Sequence, residues 1–159
     1  MNGRQEYVCY TDGSCKPTPG APGGWGFVIK APGRAPLEGY GKASGTLAKV
    51  MEYQAVAEAL AALPAGVSAV VFCDNQSLVE NMVKQLSNWQ TSNFAKVDPQ
   101  IVDSARRIAE CIAAQRLQVR WQWLRAHRGN AGNERADALA AQGAREAKAE
   151  LSAKPARGR

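Results

Sequence analysis

Three β-type runs crowd into the first 43 residues: EYVCYTDGS, GGWGFVIKA and LEGYGKA. The segment between the first two, KPTPGAPGG, is Pro- and Gly-rich loop chemistry, and the first run ends in an Asp-Gly turn pair. Strands this closely spaced pair as an antiparallel meander, because a parallel crossover needs a dozen or more residues. This opening excludes an all-helical chain and a purely parallel sheet.

The period then changes. From Thr46 to Leu63, apolar residues recur at Met51, Ala55, Val56, Ala59, Leu60 and Leu63, a helical stripe that Pro64-Ala65-Gly66 stops. VSAVVFC is a short apolar run, as expected of a buried strand. A helix is predicted over 75–88, with a Glu80–Lys84 pair. Another is predicted from Pro99, capped by Asp98, to Gln115, with an Arg106–Glu110 pair. LQVRWQWL alternates strictly, placing Leu117, Val119, Trp121 and Trp123 on one side, as in a half-exposed edge strand. A last helix is predicted over 132–148. The order β-β-β-α-β-α-α-β-α predicts an α/β fold, a mixed sheet with helices packed on it. One domain over 1–148 and a basic, disordered tail over 149–159 complete the reading.

The chain has 159 residues, enough for one sizeable core, and a formal charge of +6. That charge suits a polyanionic partner or simple solubility equally. The cysteines at 9, 15, 73 and 111 are scattered with no CxxC pair, which argues against a zinc site and for free thiols. No apolar segment follows MNGRQEYV and no run is long enough to span a membrane, so the expectation is a cytoplasmic protein with no membrane partner.

Asp12 closes the first run and Asp74 the fourth, at VVFCDNQS. In sheets with βαβ crossovers, ligands bind beyond the carboxyl ends of strands. Were these two strands parallel neighbours, Asp12 and Asp74 would emerge side by side, and their like charges would require a cation. Taken singly, each has a plainer reading: Asp12-Gly13 as a turn, Asp74 as a helix cap. Glu52 has Lys49 at i−3 for a solvated ion pair. Asp137 has Glu134, Asn133, Ala140 and Ala141 at i±3 and i±4, with no cation among them.

Four converging acids suit Mg²⁺ or, as a substitute, Mn²⁺, since hard cations prefer oxygen. Two such ions about 3.5–4 Å apart can activate water and stabilise the leaving oxygen in phosphodiester cleavage. No nucleophilic Ser or Cys is required, and the sequence shows no P-loop, GxGxxG or HExxH.

YTDGSC, MEYQAVAEAL, FCDNQSLV and HRGNAGNERADALA, in this order over about residues 5–145, resemble ribonuclease H of type 1. The resemblance implies a ribonuclease H-like fold: a five-stranded mixed sheet, its first three strands antiparallel, with helices on both faces. It implies endonucleolytic cleavage of the RNA strand of RNA/DNA hybrids, leaving 5′-phosphate and 3′-hydroxyl ends. The family's metal-binding, catalytic acids fall on Asp12, Glu52, Asp74 and Asp137, with the first bridging both ions. Its flexible-loop histidine falls on His127, the only histidine and a residue type suited to proton exchange, which would help proton movement or product release. Substrate contacts fall on Gly13, Cys15, Gln76 and Asn88. Gly13 would permit close backbone approach to a wide minor groove lined by 2′-hydroxyls. A monomer with no obligate protein partner is expected. A non-catalytic hybrid-binding module, or another nuclease or recombinase on this superfold, would be the competing classes. The intact acids and histidine argue for the ribonuclease.

The sequence departs from the family in three places. Before the helical Glu, Thr46 survives, but Leu47, Ala48 and Lys49 replace the usual polar residues, and Thr18 stands where Asn is common. In the segment LSNWQTSNFAKVDP, Trp89 and Phe94 keep aromatic positions of the basic protrusion that grips the hybrid in many bacterial members. The two rings serve either the DNA backbone or core packing. Between 75 and 100, Lys84 and Lys96 are cancelled by Glu80 and Asp98, which predicts a protrusion with little electrostatic grip.

Overall fold

The structure, a computed structural model, describes residues 6–125 and 129–153. Its first three strands are β1 (Glu6–Cys15), β2 (Gly23–Lys30) and β3 (Leu37–Ala43), paired antiparallel as the short linkers demand. After α1 (Ala48–Ala61) the chain crosses over, and β4 (Ser68–Cys73) pairs parallel with β1. The helices α2 (Gln76–Lys84), α3 (Leu86–Thr91) and α4 (Val102–Ala114) precede β5 (Gln118–Trp123), which pairs parallel with β4. The sheet order is β3-β2-β1-β4-β5, so β5 is an edge strand as its alternation predicts. Its outer row, Gln118, Arg120 and Gln122, is exposed, while Val119, Trp121 and Trp123 lean on the core.

Helices cover both faces. The larger core packs α1 and α4 against Cys9, Phe27, Ile29 and Val71. Fully buried Leu60 and Ile108 each contribute about 1.5–3 kcal/mol there. On the opposite face, α5 (Ala131–Ala153) buries Ala136, Leu139, Ala140, Gly143 and Ala147 against β1, β2 and β3. These small residues bring the helix backbone close to the sheet. A Cβ on Gly26 would stand 2.7 Å from both the Ala136 carbonyl and the Ala140 nitrogen. None of the described helices is long and apolar enough to cross a membrane.

Several local expectations are corrected. Asp12-Gly13 is not a turn: β1 continues to Cys15, with Gly13 opposite Trp25. The helix expected over 75–88 breaks at Gln85, which caps α2 and starts α3, and α3 packs on α4. Asn75, not Asp74, caps α2, its side chain accepting from the Leu78 amide at 3.0 Å. Asp98 nucleates a turn rather than a helix: its carboxylate accepts from Gln100 N and its carbonyl from Ile101 N, so α4 starts only at Val102.

Arg106 forgoes Glu110; it donates to Asn93 Oδ1 at 3.0 Å and lies over the Phe94 ring. Glu80–Lys84 is not among the ion pairs of the described residues. Exposed i,i+4 pairs are worth only a few tenths of a kcal/mol, so better-placed partners override them. Finally, α5 runs past Lys148 to Ala153, where the tail was expected to have begun, and Glu150 pairs with Lys42 of β3.

Candidate active site

Parallel pairing of β1 with β4 ends at Thr11 opposite Cys73. The next residues on the two strands are Asp12 and Asp74, so the register itself sets these acids side by side. Asp12 is held inside the fold at 4% exposure. The Trp123 indole donates to the Asp74 carbonyl at 3.2 Å, and the Leu124 amide to the Cys73 carbonyl at 3.1 Å, which pins the end of β4 to β5.

Glu52 arrives from α1. A Cβ on Gly13 would stand 2.6 Å from Glu52 N and 2.7 Å from the Met51 carbonyl carbon. The missing side chain therefore lets α1 lie on β1, the close approach here being helix to strand rather than substrate to strand. The Gly13 amide donates to Asp12 Oδ1 at 2.9 Å and to Glu52 Oε1 at 3.1 Å. Glu52 does not pair with Lys49, whose ammonium sits 2.6 Å from Asp98.

Asp137 completes the group from the second turn of α5. That helix is capped by Asn130, whose side chain accepts from Asn133 N at 2.8 Å. Gly132, where the last helix was expected to start, is a buried residue of its first turn, pressed on the Tyr10 ring. His127 lies outside the described residues.

The electrostatics record the crowding. Burial, then the charges of Glu52, Asp74 and Asp137, pushes Asp12 up to about 10. Burial and then Asp74 push Glu52 up to about 8, against the opposing hydrogen bond from Gly13. Carboxyls crowded in this way call for a compensating cation to ionise together, and their oxygen donors fit Mg²⁺ or Mn²⁺.

The RNase H family model matches residues 4–145. The chain belongs to the ribonuclease H family. Ribonuclease H of Polaromonas naphthalenivorans (strain CJ2) is 38% identical over 142 residues, 87% of each chain. That of Bordetella pertussis (strain Tohama I) is 38% identical over 141 residues, 87% of this chain and 89% of its own. Among solved structures, LC9-RNase H1, a type 1 RNase H with the type 2 active-site motif, shares the fold with a TM-score of 0.76 at 20% identity, over 97% of this chain and 83% of its own. LC11-RNase H1, solved in complex with an RNA/DNA hybrid, has a TM-score of 0.70 at 23% identity, over 89% and 99%. The ribonuclease H resemblance and its five-stranded mixed sheet are borne out.

In this ribonuclease H family member the expected substrate residues divide into two groups. Gly13, Cys15 and Gln76 border the acids. The Cys15 sulfur contacts the carbonyls of Ala21 (3.7 Å) and Thr46 (3.5 Å), tying the β1–β2 loop to the start of α1, and Gln76 is exposed in the first turn of α2. Asn88, Trp89 and Phe94 lie apart, on and after α3. Asn88 is exposed, and Trp89 is half-buried beside a cleft of about 360 Å³ that also takes in Lys49, Tyr53 and Asn75. Phe94 is 8% exposed, turned into the core by left-handed backbone at Asn93 and Phe94. Packing accounts for its ring. Sequence reasoning missed Trp123 and Asn130. Trp123 looked like one more apolar strand residue, but the Asn in GNAGNE two residues before Gly132 is a legible N-cap.

Proposed function

We infer that this protein is an endoribonuclease hydrolysing the RNA strand of RNA/DNA hybrids with two divalent cations, leaving 5′-phosphate and 3′-hydroxyl ends. The carrying observation is the convergence of Asp12, Glu52, Asp74 and Asp137 where β1 and β4 part, with Asp12 buried among the other three. The hybrid in the LC11-RNase H1 complex and the named relatives support the substrate class.

Asp12, Glu52, Asp74 and Asp137 would hold Mg²⁺, or Mn²⁺ in its place, and bound there the cations would supply the Lewis acidity for phosphodiester hydrolysis. The chain's own part is to orient those acids. Gly13 N–H holds Asp12 and Glu52 together, Trp123 anchors the Asp74 backbone, and the Asn130 cap sets the start of the helix that carries Asp137. His127 would move a proton or assist product release. Gly13, Cys15, Gln76, Asn88 and Trp89 would line the path of the hybrid. The reading includes a cytoplasmic monomer without an obligate protein partner.

The test is cleavage of one labelled RNA strand alone, in an RNA/RNA duplex and in an RNA/DNA hybrid, with Mg²⁺, Mn²⁺ or EDTA, beside Asp12→Asn. Metal-dependent cutting of the hybrid alone, abolished by Asp12→Asn, is expected. Tight hybrid binding without cutting would make the protein a binding module.

A further inference from the structure

Cys73 ends β4 one residue before Asp74 and is wholly buried. Its sulfur and one carboxylate oxygen each from Glu52 and Asp74 all lie within 4.8 Å of one another. Ligand atoms around one tetrahedral zinc stand roughly 3.5 Å apart, so small side-chain adjustments bring these three to a single ion. Sulfur offers nothing to Mg²⁺, but it selects for softer cations of the Zn²⁺ class.

The surroundings of the sulfur point the same way. The Asn75 amide donates to it at 3.4 Å. Thr11, the β1 residue in register with Cys73, is also wholly buried, and its hydroxyl makes no hydrogen bond among the described residues. A thiol is a weak acceptor, whereas a metal-bound thiolate carries charge and would accept a hydrogen bond from that hydroxyl. Two donors thus flank the sulfur, and a charged thiolate would accept from both more strongly than a thiol does.

We propose that Glu52, Cys73 and Asp74 form a binding site for a thiophilic divalent cation of the Zn²⁺ class, with Thr11 and Asn75 donating to the bound sulfur. The metal–sulfur bond replaces the thiol S–H, whose proton leaves to solvent. Because Glu52 and Asp74 belong to the four acids, this ion would displace the hydrolytic metal and arrest cleavage. That consequence rests on the proposed nuclease function; the binding itself does not.

The test is zinc-edge X-ray absorption on the full, otherwise metal-free chain with Zn²⁺ as the only added metal. One sulfur at about 2.3 Å among oxygen or nitrogen neighbours is expected. A shell without sulfur overturns the proposal with no need of a variant. In Cys73→Ser the sulfur should vanish and Zn²⁺ affinity fall at least about tenfold. Sulfur that persists there but is lost in Cys15→Ser assigns the ion to Cys15 and also overturns it. A sulfur-bound zinc in a protein that cleaves no hybrid upholds the site while the nuclease reading fails.

Discussion

The amide of Gly13 donates to Glu52 Oε1 at 3.1 Å, across the junction of β1 and α1. The same amide holds Asp12 at 2.9 Å, so one backbone N–H sets the spacing of two acids. Gly13→Ala drives a methyl group against Glu52 N and the Met51 carbonyl carbon, both backbone atoms that cannot swing aside. Overpacking of this kind costs about 1–3 kcal/mol. A 1 Å misplacement near the chemistry costs roughly 10²-fold in rate, so kcat for the hybrid should fall by about that factor while the protein still folds. Urea denaturation beside kcat checks both; near-wild-type kcat would show that Glu52 has latitude in its position.

Without metal, stability should fall as pH rises from 5 to 8. Asp12 and Glu52 have folded-state values raised to about 10 and about 8, from ordinary values of 3.8 and 4.5. The folded protein therefore binds more protons than the unfolded chain in this window. The contribution is whole below the ordinary values and is lost as pH climbs towards the raised ones. Mg²⁺ offsets the loss, so its effect on Tm should be larger at pH 8 than at pH 5. Thermal melts in EDTA and in Mg²⁺ at both pH values decide this; equal metal effects would contradict it.

Asp12→Asn should separate stability from activity. The substitution removes a carboxyl whose ionisation is opposed first by burial and then by Glu52, Asp74 and Asp137. At pH 8 in EDTA the variant should gain on the order of 2 kcal/mol, a Tm higher by several degrees, while losing cleavage. A lower Tm under those conditions would mean that Asp12 is stabilised by contacts other than a bound cation.

Trp123→Phe keeps a ring on the half-buried row of β5 but deletes the donor to the Asp74 carbonyl. The loss should cost about 1 kcal/mol in stability. Freeing the residue next to Cys73 should also lower kcat several-fold with little change in KM. An unchanged kcat would show that the β4 register alone positions Asp74.

Lys49 is neutralised by Asp98 at 2.6 Å, in keeping with a segment that brings little net charge to a polyanion. Asp98→Asn should release it, and Gln90→Lys with Ser92→Lys should add cations at two exposed positions near α3. Each new phosphate contact should steepen the log–log salt dependence of hybrid binding by about 0.7–0.9. Titrations over a range of KCl concentrations measure the slope; no change in any variant would place this segment away from the nucleic acid.

Strand count, the antiparallel opening, the edge position of β5 and the four acids were legible in the sequence. These features rest on local periodicity, linker length and ordered motifs, which short segments carry by themselves. Tertiary structure decided what depends on partners distant along the chain. Asp12-Gly13 has turn chemistry, yet β2 goes on pairing with β1 past the point where β4 ends and holds it extended to Cys15. Lys49 could reach Glu52 one turn away, but it pairs with Asp98 while Glu52 turns to Gly13. Gly132 reads as the plain start of a helix until the Tyr10 ring is found against it. Cys73, one more apolar residue in a buried strand, stands beside two carboxylates only because β4 and α1 meet there. Sequence patterns record which face of an element is apolar; which side chains then share a volume depends on how those faces are packed together.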